Sequence, residues 1–247
     1  MTKVAVIGAK GRMGSTVSQT VNNASDLELV AELDQGDDVT VETLNGAEVA
    51  VVFTVPSVKL DNVLDLLKAD VHAVVGTSGW TDEELDQVRE AQKDSQANVF
   101  IAPNFALSAV LAMEFAAMAA PMFKSVEIIE MHHPNKVDAP SGTAAATAAK
   151  IAAARKEAGV DAAPDATETD PEGTRGGRYN DVPVHAVRLR GITATEEILL
   201  GNPGEVLTIR TDSFDRESFM PGVLLAVRKV AGLDGLTVGL ENLLELK

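Results

Sequence analysis

Five short runs of Val, Ile, Ala and Leu, at residues 3–8, 27–33, 49–54, 71–76 and 99–103, punctuate the first hundred residues. They are nearly continuous in apolar side chains and do not alternate with polar ones. Strands of that kind are buried on both faces, as in a parallel sheet covered by helices. The segments between them carry helical patterns. Residues 12–22 follow the first run, and residues 57–69 put Val58, Leu60, Val63, Leu64 and Leu67 on one stripe. Residues 81–94 open on Thr-Asp-Glu-Glu, where Thr81 and Glu84 can form a capping box. This alternation predicts an α/β fold built on a Rossmann-type doubly wound parallel sheet.

The pattern changes after residue 105. Residues 105–123 are apolar and Ala-rich, but they carry Glu114 and are interrupted by Pro121, so they read as a buried helix and not as a membrane span. A strand over 125–131 places Val126, Ile128 and Glu130 on one face, and an Ala-rich helix follows over 142–158. Residues 160–181 are acidic, rich in Pro, Gly, Thr and Asp, and without periodicity, which predicts a long mobile surface loop. Strands are expected at 183–190, 193–200 and 206–212. Asn202-Pro203-Gly204 supplies Pro and Gly at the centre of a type II turn, which makes the last two strands antiparallel neighbours. An inserted α+β domain with a mostly antiparallel sheet follows from this section. Helical spacing returns over 219–230, and residues 236–246 share the composition of the first half, on which the C-terminus is expected to pack. The predicted division is 1–105 with 217–247 against 106–216.

Composition narrows the function. A chain of 247 residues, 45% hydrophobic, has material for a sizeable core. Its 21 Lys+Arg against 37 Asp+Glu leave a charge of −16, which argues against nucleic acid and anionic membranes as partners. The absence of cysteine removes disulfides, thiolate nucleophiles and thiolate metal ligands. Met-Thr-Lys leads directly into the first apolar run without a signal-peptide pattern, so a soluble cytoplasmic protein is expected.

The first run ends in Gly8-Ala9-Lys10-Gly11-Arg12-Met13-Gly14 and opens a helix. Glycines there allow a tight turn and let a pyrophosphate approach the helix N-terminus, where unpaired amides favour negative charge. Asp34, at the end of the second run, is placed to accept hydrogen bonds from an adenosine ribose. That favours NAD, while Lys10 and Arg12 are either contacts for a 2′-phosphate or ordinary solvated charges. The choice between NADH and NADPH stays open, dual use included. Gly76-Thr77-Ser78-Gly79 and Ala102-Pro103-Asn104-Phe105 follow the fourth and fifth runs, at the strand ends where open α/β sheets bind ligands. Phe53 and Thr54 end the third run, with Phe53 facing either the nicotinamide or the core.

The inserted section holds Glu130-Met-His132-His133-Pro-Asn-Lys136-Val-Asp138-Ala-Pro-Ser141-Gly142-Thr143. If the strand continues through the two histidines they face opposite sides, so one serves chemistry and the other holds substrate or backbone. An imidazole near its reference pKa of about 6.5 delivers a proton at neutral pH. Lys136 is a donor for a carboxylate, and Ser141-Gly142-Thr143 starts a helix that offers backbone amides and hydroxyls to an anion. A proton donor beside two anion sites suggests a small acidic substrate. A metal site from His132, His133 and Asp138 is disfavoured, since no His-x-x-x-His pair lies on a helix.

These blocks, in this order and essentially end to end, resemble the dihydrodipicolinate reductase family. The resemblance implies a nucleotide-binding domain that includes the C-terminal segment, joined to a substrate domain whose sheet builds a homotetramer. It implies reduction of 4-hydroxy-tetrahydrodipicolinate, a small dicarboxylate, to tetrahydrodipicolinate with NADH or NADPH and loss of water, in lysine and diaminopimelate biosynthesis. By the same resemblance, Gly8 to Met13, Asp34, Gly76, Thr77, Ser78 and Ala102 to Phe105 hold the dinucleotide. His132 is the proton donor, Lys136 a second acid and carboxylate partner, and His133, Ser141, Gly142 and Thr143 bind substrate. Ser78 stands where the family often has Thr, which keeps the hydroxyl. Gln35 stands where some relatives carry Arg, which weakens strict NADP dependence. Another small-acid dehydrogenase and a non-catalytic nucleotide sensor are the rival functions.

Overall fold

The computed structural model describes residues 1–246. The chain divides into two compact units, Met1–Leu107 with Arg216–Lys247, and Ser108–Asp215. The first begins with β1 (Thr2–Ile7), α1 (Arg12–Asn23), β2 (Leu27–Leu33), β3 (Val49–Val52), α2 (Lys59–Lys68), β4 (His72–Val75), α3 (Asp82–Gln92) and β5 (Val99–Ile101). The second contains α4 (Leu107–Ala119, whose first residue belongs to the first unit), β6 (Ser125–His132), α5 (Gly142–Glu157), β7 (Gly177–Tyr179), β8 (Val182–Arg188), β9 (Ala194–Asn202) and β10 (Glu205–Ser213). The chain then returns to the first unit as α6 (Met220–Lys229) and β11 (Leu236–Val238).

In the first unit the strands run β11-β5-β4-β3-β1-β2, all parallel. Every residue of β3 and β5 is buried, which is the property the continuous apolar runs encode. The capping box forms as expected: the Glu84 amide donates to Thr81 Oγ1 at 3.2 Å and the Thr81 amide to Glu84 Oε2 at 2.8 Å. Glu84 also pairs with the buried Lys59 at 2.6 Å. Two expectations need correction here. Residues 57–69 are not one helix, because Pro56 starts a separate 3-10 turn (Pro56–Val58) before α2. The sixth strand, β11, was not anticipated. Its three residues are too few to show periodicity, and it exists because it pairs in register with β5.

The second unit has a five-stranded sheet of order β10-β9-β6-β8-β7. All neighbouring pairs are antiparallel except β6 with β8, whose parallel pairing follows from the crossover through α5. Pro203-Gly204 makes the two-residue connection between β9 and β10, with Gly204 at φ +86°, as a type II turn demands. Ala144, Ala148 and Ile151 of α5 pack on Val126, Ile128, Val184, Ile198 and Leu200 of the sheet. The predicted loop over 160–181 is partly structured. Its end forms β7, and Arg175 bonds Glu127 of β6 at 2.7 Å while Arg178 bonds Asp165 at 2.7 Å. Those partners are remote in sequence, so local composition does not reveal them. The apolar helix ends at Ala119 and passes into a 3-10 turn holding Pro121. Among the described residues no helix is long and apolar enough to cross a membrane.

Candidate active site

In the first unit the glycine-rich turn lies at the carboxyl edge of the parallel sheet, between β1 and α1. Gly8 adopts φ +85°, and a Cβ there would stand 2.4 Å from the Phe53 carbonyl oxygen. A Cβ on Gly14 would lie 2.0 Å from the Gly8 carbonyl oxygen. Only glycine permits this packing of turn against helix. Gly11 is the N-cap of α1 and supplies no side-chain cap, so the first amides of the helix keep their anion-binding capacity. The Asp34 carboxylate accepts the Gln35 amide at 2.8 Å and the Lys10 amide at 2.6 Å. These two bonds hold its carboxyl below the usual carboxylate range, and lone pairs remain for a further donor. Lys10 and Arg12 are exposed, Ala9 is buried and Met13 half-buried.

The other predicted cofactor residues divide into surface and support. Ser78 and Pro103 are exposed, and Gly76 and Asn104 are half-buried. Thr77 is buried, and its hydroxyl accepts from the Thr54 amide at 3.0 Å and donates to the Thr54 carbonyl at 3.2 Å, tying the ends of β3 and β4 together. The Phe53 ring fills the space that a Cβ at Gly76 would need, 2.0 Å away, and lies 5.8 Å from the ring of buried Phe105. Ala102 is buried and its amide bonds the Val75 carbonyl at 3.0 Å. Asn104 Oδ1 accepts the Ala106 amide at 2.8 Å. A buried residue unremarked in the sequence also matters: a Cβ on Gly222 of α6 would come within 2.2 Å of the Phe105 carbonyl oxygen.

In the second unit β6 carries Glu130 and His132 on the same face. The fully buried Glu130 carboxylate accepts the Ser141 amide at 3.1 Å, Arg188 Nη2 at 2.8 Å and Nη1 at 2.9 Å, and meets His132 Nδ1 at 2.6 Å. Burial works against its charge, but Arg188 and His132 outweigh it and hold the carboxyl below the ordinary range. Burial also pushes the His132 imidazole below its usual value, with Glu130 pulling the other way. Because the carboxylate takes the Nδ1 hydrogen, Nε2 is the nitrogen left for chemistry.

The strand ends at His132, one residue beyond the expected 125–131, so it does not continue through both histidines. The exposed His133 already belongs to a turn, where its carbonyl accepts the Lys136 amide at 3.2 Å. The Lys136 ammonium pairs with Asp138 at 2.8 Å. Ser141 is buried and its hydroxyl caps α5 by accepting the Ala144 amide at 3.1 Å. Gly142 is exposed and Thr143 half-buried at the first turn of that helix. His132, Lys136 and the α5 N-terminus are therefore gathered by one strand end and one loop. Two residues in this cluster escaped the sequence reading as site residues: Glu130, legible only as an inward strand residue, and Arg188, whose register opposite His132 depends on the β6–β8 pairing. Among the described residues no group of three or more His, Asp or Glu is arranged to hold a metal.

A Rossmann-type unit with a glycine cradle, together with an α+β unit carrying an anchored histidine, has the build of a nucleotide-dependent oxidoreductase. Comparison with known proteins narrows that class. Residues 2–105 match the family described as dihydrodipicolinate reductase, N-terminus, and residues 108–244 match dihydrodipicolinate reductase, C-terminus. The chain belongs to the dihydrodipicolinate reductase family. It is 60% identical over 252 residues to the 4-hydroxy-tetrahydrodipicolinate reductase of Bifidobacterium longum, covering 100% of both chains. It is 54% identical over 245 residues to the enzyme of that name from Streptomyces coelicolor, covering 99% of this chain and 98% of the other. The fold matches the dipicolinate-bound dihydrodipicolinate reductase from Paenisporosarcina sp. TG-14 with a TM-score of 0.90 and 38% identity, over 99% of this chain and 100% of that one.

Proposed function

We propose that the protein reduces 4-hydroxy-tetrahydrodipicolinate to tetrahydrodipicolinate, with loss of water, using NADH or NADPH. The observation that carries this is the His132 imidazole anchored on Glu130 beside Lys136 and the N-terminus of α5. The dinucleotide fits the first unit on this chain's own geometry, because Gly8 and Gly14 let the turn pack closely on the start of α1, whose first amides have no side-chain cap. Gly8, Ala9, Lys10, Gly11, Arg12 and Met13 would hold the pyrophosphate end and Asp34 the ribose. Gly76 and Ser78, with Thr77, Phe53 and the residues Ala102 to Phe105 behind them, would hold the rest. A bound dihydronicotinamide supplies the hydride. The exposed Lys10, whose amide bonds Asp34, and the exposed Arg12 of the same turn support use of either cofactor.

The substrate ring bears two carboxylates. Lys136 and the first turn of α5, with Gly142 and Thr143, are suited to bind them, and His133 stands on the exposed side of the same turn. Ser141 contributes through its cap, which orders that helix end. Loss of water leaves a conjugated imine, and hydride addition to it yields an enamine that must be protonated on carbon. His132, as imidazolium, gives up that proton from Nε2 while Glu130 keeps the ring oriented. The relative from Paenisporosarcina with dipicolinate bound, itself a ring dicarboxylate by name, supports this substrate class. Cytoplasmic location and a homotetramer are part of the same proposal. The latter is supported by the nine-residue edge strand β10 with Val206 and Leu207 exposed.

The test is oxidation of NADH and NADPH, followed separately by absorbance, with substrate generated in situ from aspartate semialdehyde and pyruvate by the upstream synthase. Rapid oxidation of both cofactors is expected. Tight NADH binding with no turnover of either would make the protein a nucleotide sensor instead.

A further inference from the structure

Glu196 is a second carboxylic acid beneath the same site, and the chemistry above leaves it unused. It lies on β9 directly opposite Glu130 of β6, on the face covered by α5, and is 5% exposed. Directly opposed residues in an antiparallel pair have Cβ atoms about 5 Å apart. The two carboxyl groups are furnished very differently. Glu130 has a bidentate arginine, an amide and an imidazole. Glu196 has one contact, Thr147 Oγ1 to its Oε2 at 3.2 Å, and its Oε1 has no hydrogen-bond partner among the described residues.

The surroundings of Glu196 do little to hold it charged. The Thr147 hydroxyl owns a single hydrogen. It stands 3.0 Å from the Thr143 carbonyl one turn back, an oxygen that can only accept. Thr147 gives that hydrogen either to the Thr143 carbonyl, in which case a neutral Glu196 can donate to the hydroxyl, or to Glu196 itself, so the contact accommodates both states of the acid. Glu130 faces it from β6, with Arg188 of β8 and His132 already committed to Glu130. Of the cations on α5, Lys150 is paired with Glu114 of α4, Arg155 bonds the carbonyls of Ala120, Lys124 and Asp161, and Lys156 is exposed, while β10 presents the uncharged Thr211. Burial, opposed by the Thr147 bond and reinforced by Glu130, pushes the Glu196 carboxyl up to about 7.

We propose that Glu196 is a positioning residue for the proton donor: a buried acid, directly opposite Glu130 and without a cation of its own, coupled to His132 across the Glu130 carboxylate. When Glu196 ionises, the added negative charge retains the proton on the imidazole. When the imidazole loses its proton, Glu196 keeps its own. The two therefore titrate as a pair, and His132 stays an acid further into the neutral range than burial alone would permit.

This rests on His132 being the acid of the proposed reduction, and the experiment separates the two claims. The His132 ring resonance, assigned with the H132Q variant, is titrated by NMR in the full-length wild type and in E196Q, alongside kcat/KM across the neutral range. The wild type should show a curve broader than a single-proton titration. In E196Q the curve should sharpen to one proton, and its midpoint and the alkaline limb of kcat/KM should move down by roughly half a pH unit. The plateau rate at low pH should stay nearly unchanged, which a merely structural loss would not leave intact. Superimposable wild-type and E196Q titrations overturn the proposal. If E196Q does not fold, carboxyl-carbon NMR of the wild type decides: a Glu196 midpoint near neutrality supports the pairing, and one in the ordinary glutamate range overturns it. Full activity in H132Q would overturn the assigned reaction role while leaving the paired titration standing.

Discussion

His132 is useful as an acid because of what holds its other nitrogen. Glu130, buried and neutralised by Arg188, orients the ring without surrendering its own charge. Replacing the imidazole should remove general acid catalysis, typically worth about 10²–10⁴-fold. H132Q is therefore expected to lose that order in kcat while binding NADH with near wild-type affinity, measured by steady-state kinetics and fluorescence titration. K136A should raise KM as well as lower kcat, because Lys136 contributes to binding and rate together. The pH dependence has a definite sign. Burial holds the imidazole below its ordinary 6.5, and the reaction begins with its protonated form. kcat/KM should fall as pH rises through that region, and the limb should be absent in H132Q.

The strand–turn–helix element at the start of the chain depends on close backbone approach. Gly14 lets α1 rest on the Gly8 carbonyl, and a methyl group there would overlap it at 2.0 Å. The clash is with backbone, so side-chain repacking cannot relieve it. G14A should lose most of its affinity for both dinucleotides in isothermal titration, with a lower melting temperature. Wild-type affinity would show that the turn is not the pyrophosphate site. At the other site β6 and α5 act jointly. The Ser141 hydroxyl caps the helix while its amide donates to Glu130, so one residue links the anion-binding end to the anchor of the acid.

At the level of the molecule, the proposed dinucleotide residues belong to one unit and His132, Lys136 and Thr143 to the other. Hydride transfer requires nicotinamide and imine in one enclosure with water excluded. Saturating NADH plus dipicolinate should therefore reduce the radius of gyration in small-angle scattering, beyond any change with NADH alone. Indistinguishable apo and ternary profiles would remove closure from the reaction cycle.

Much of this was legible along the chain. Continuous apolar runs announce doubly buried strands, Thr81 and Glu84 announce a helix start, and Pro203-Gly204 announces a hairpin, because each depends on neighbours a few residues away. The Gly8–Gly14 turn and the His132–Thr143 block are equally compact, so family membership could be read from them, and the proposed site residues lie within them. Folding alone decided the rest. β11 is a strand because β5 offers an open edge, and the 160–181 segment is tethered because Glu127 comes within reach of Arg175. The partners of Glu130 come from residues 132, 141 and 188, and the raised pKa of Glu196 follows from its burial opposite Glu130. Charge states inside a protein are set by groups distant in sequence and by the removal of water, and neither is written in local spacing.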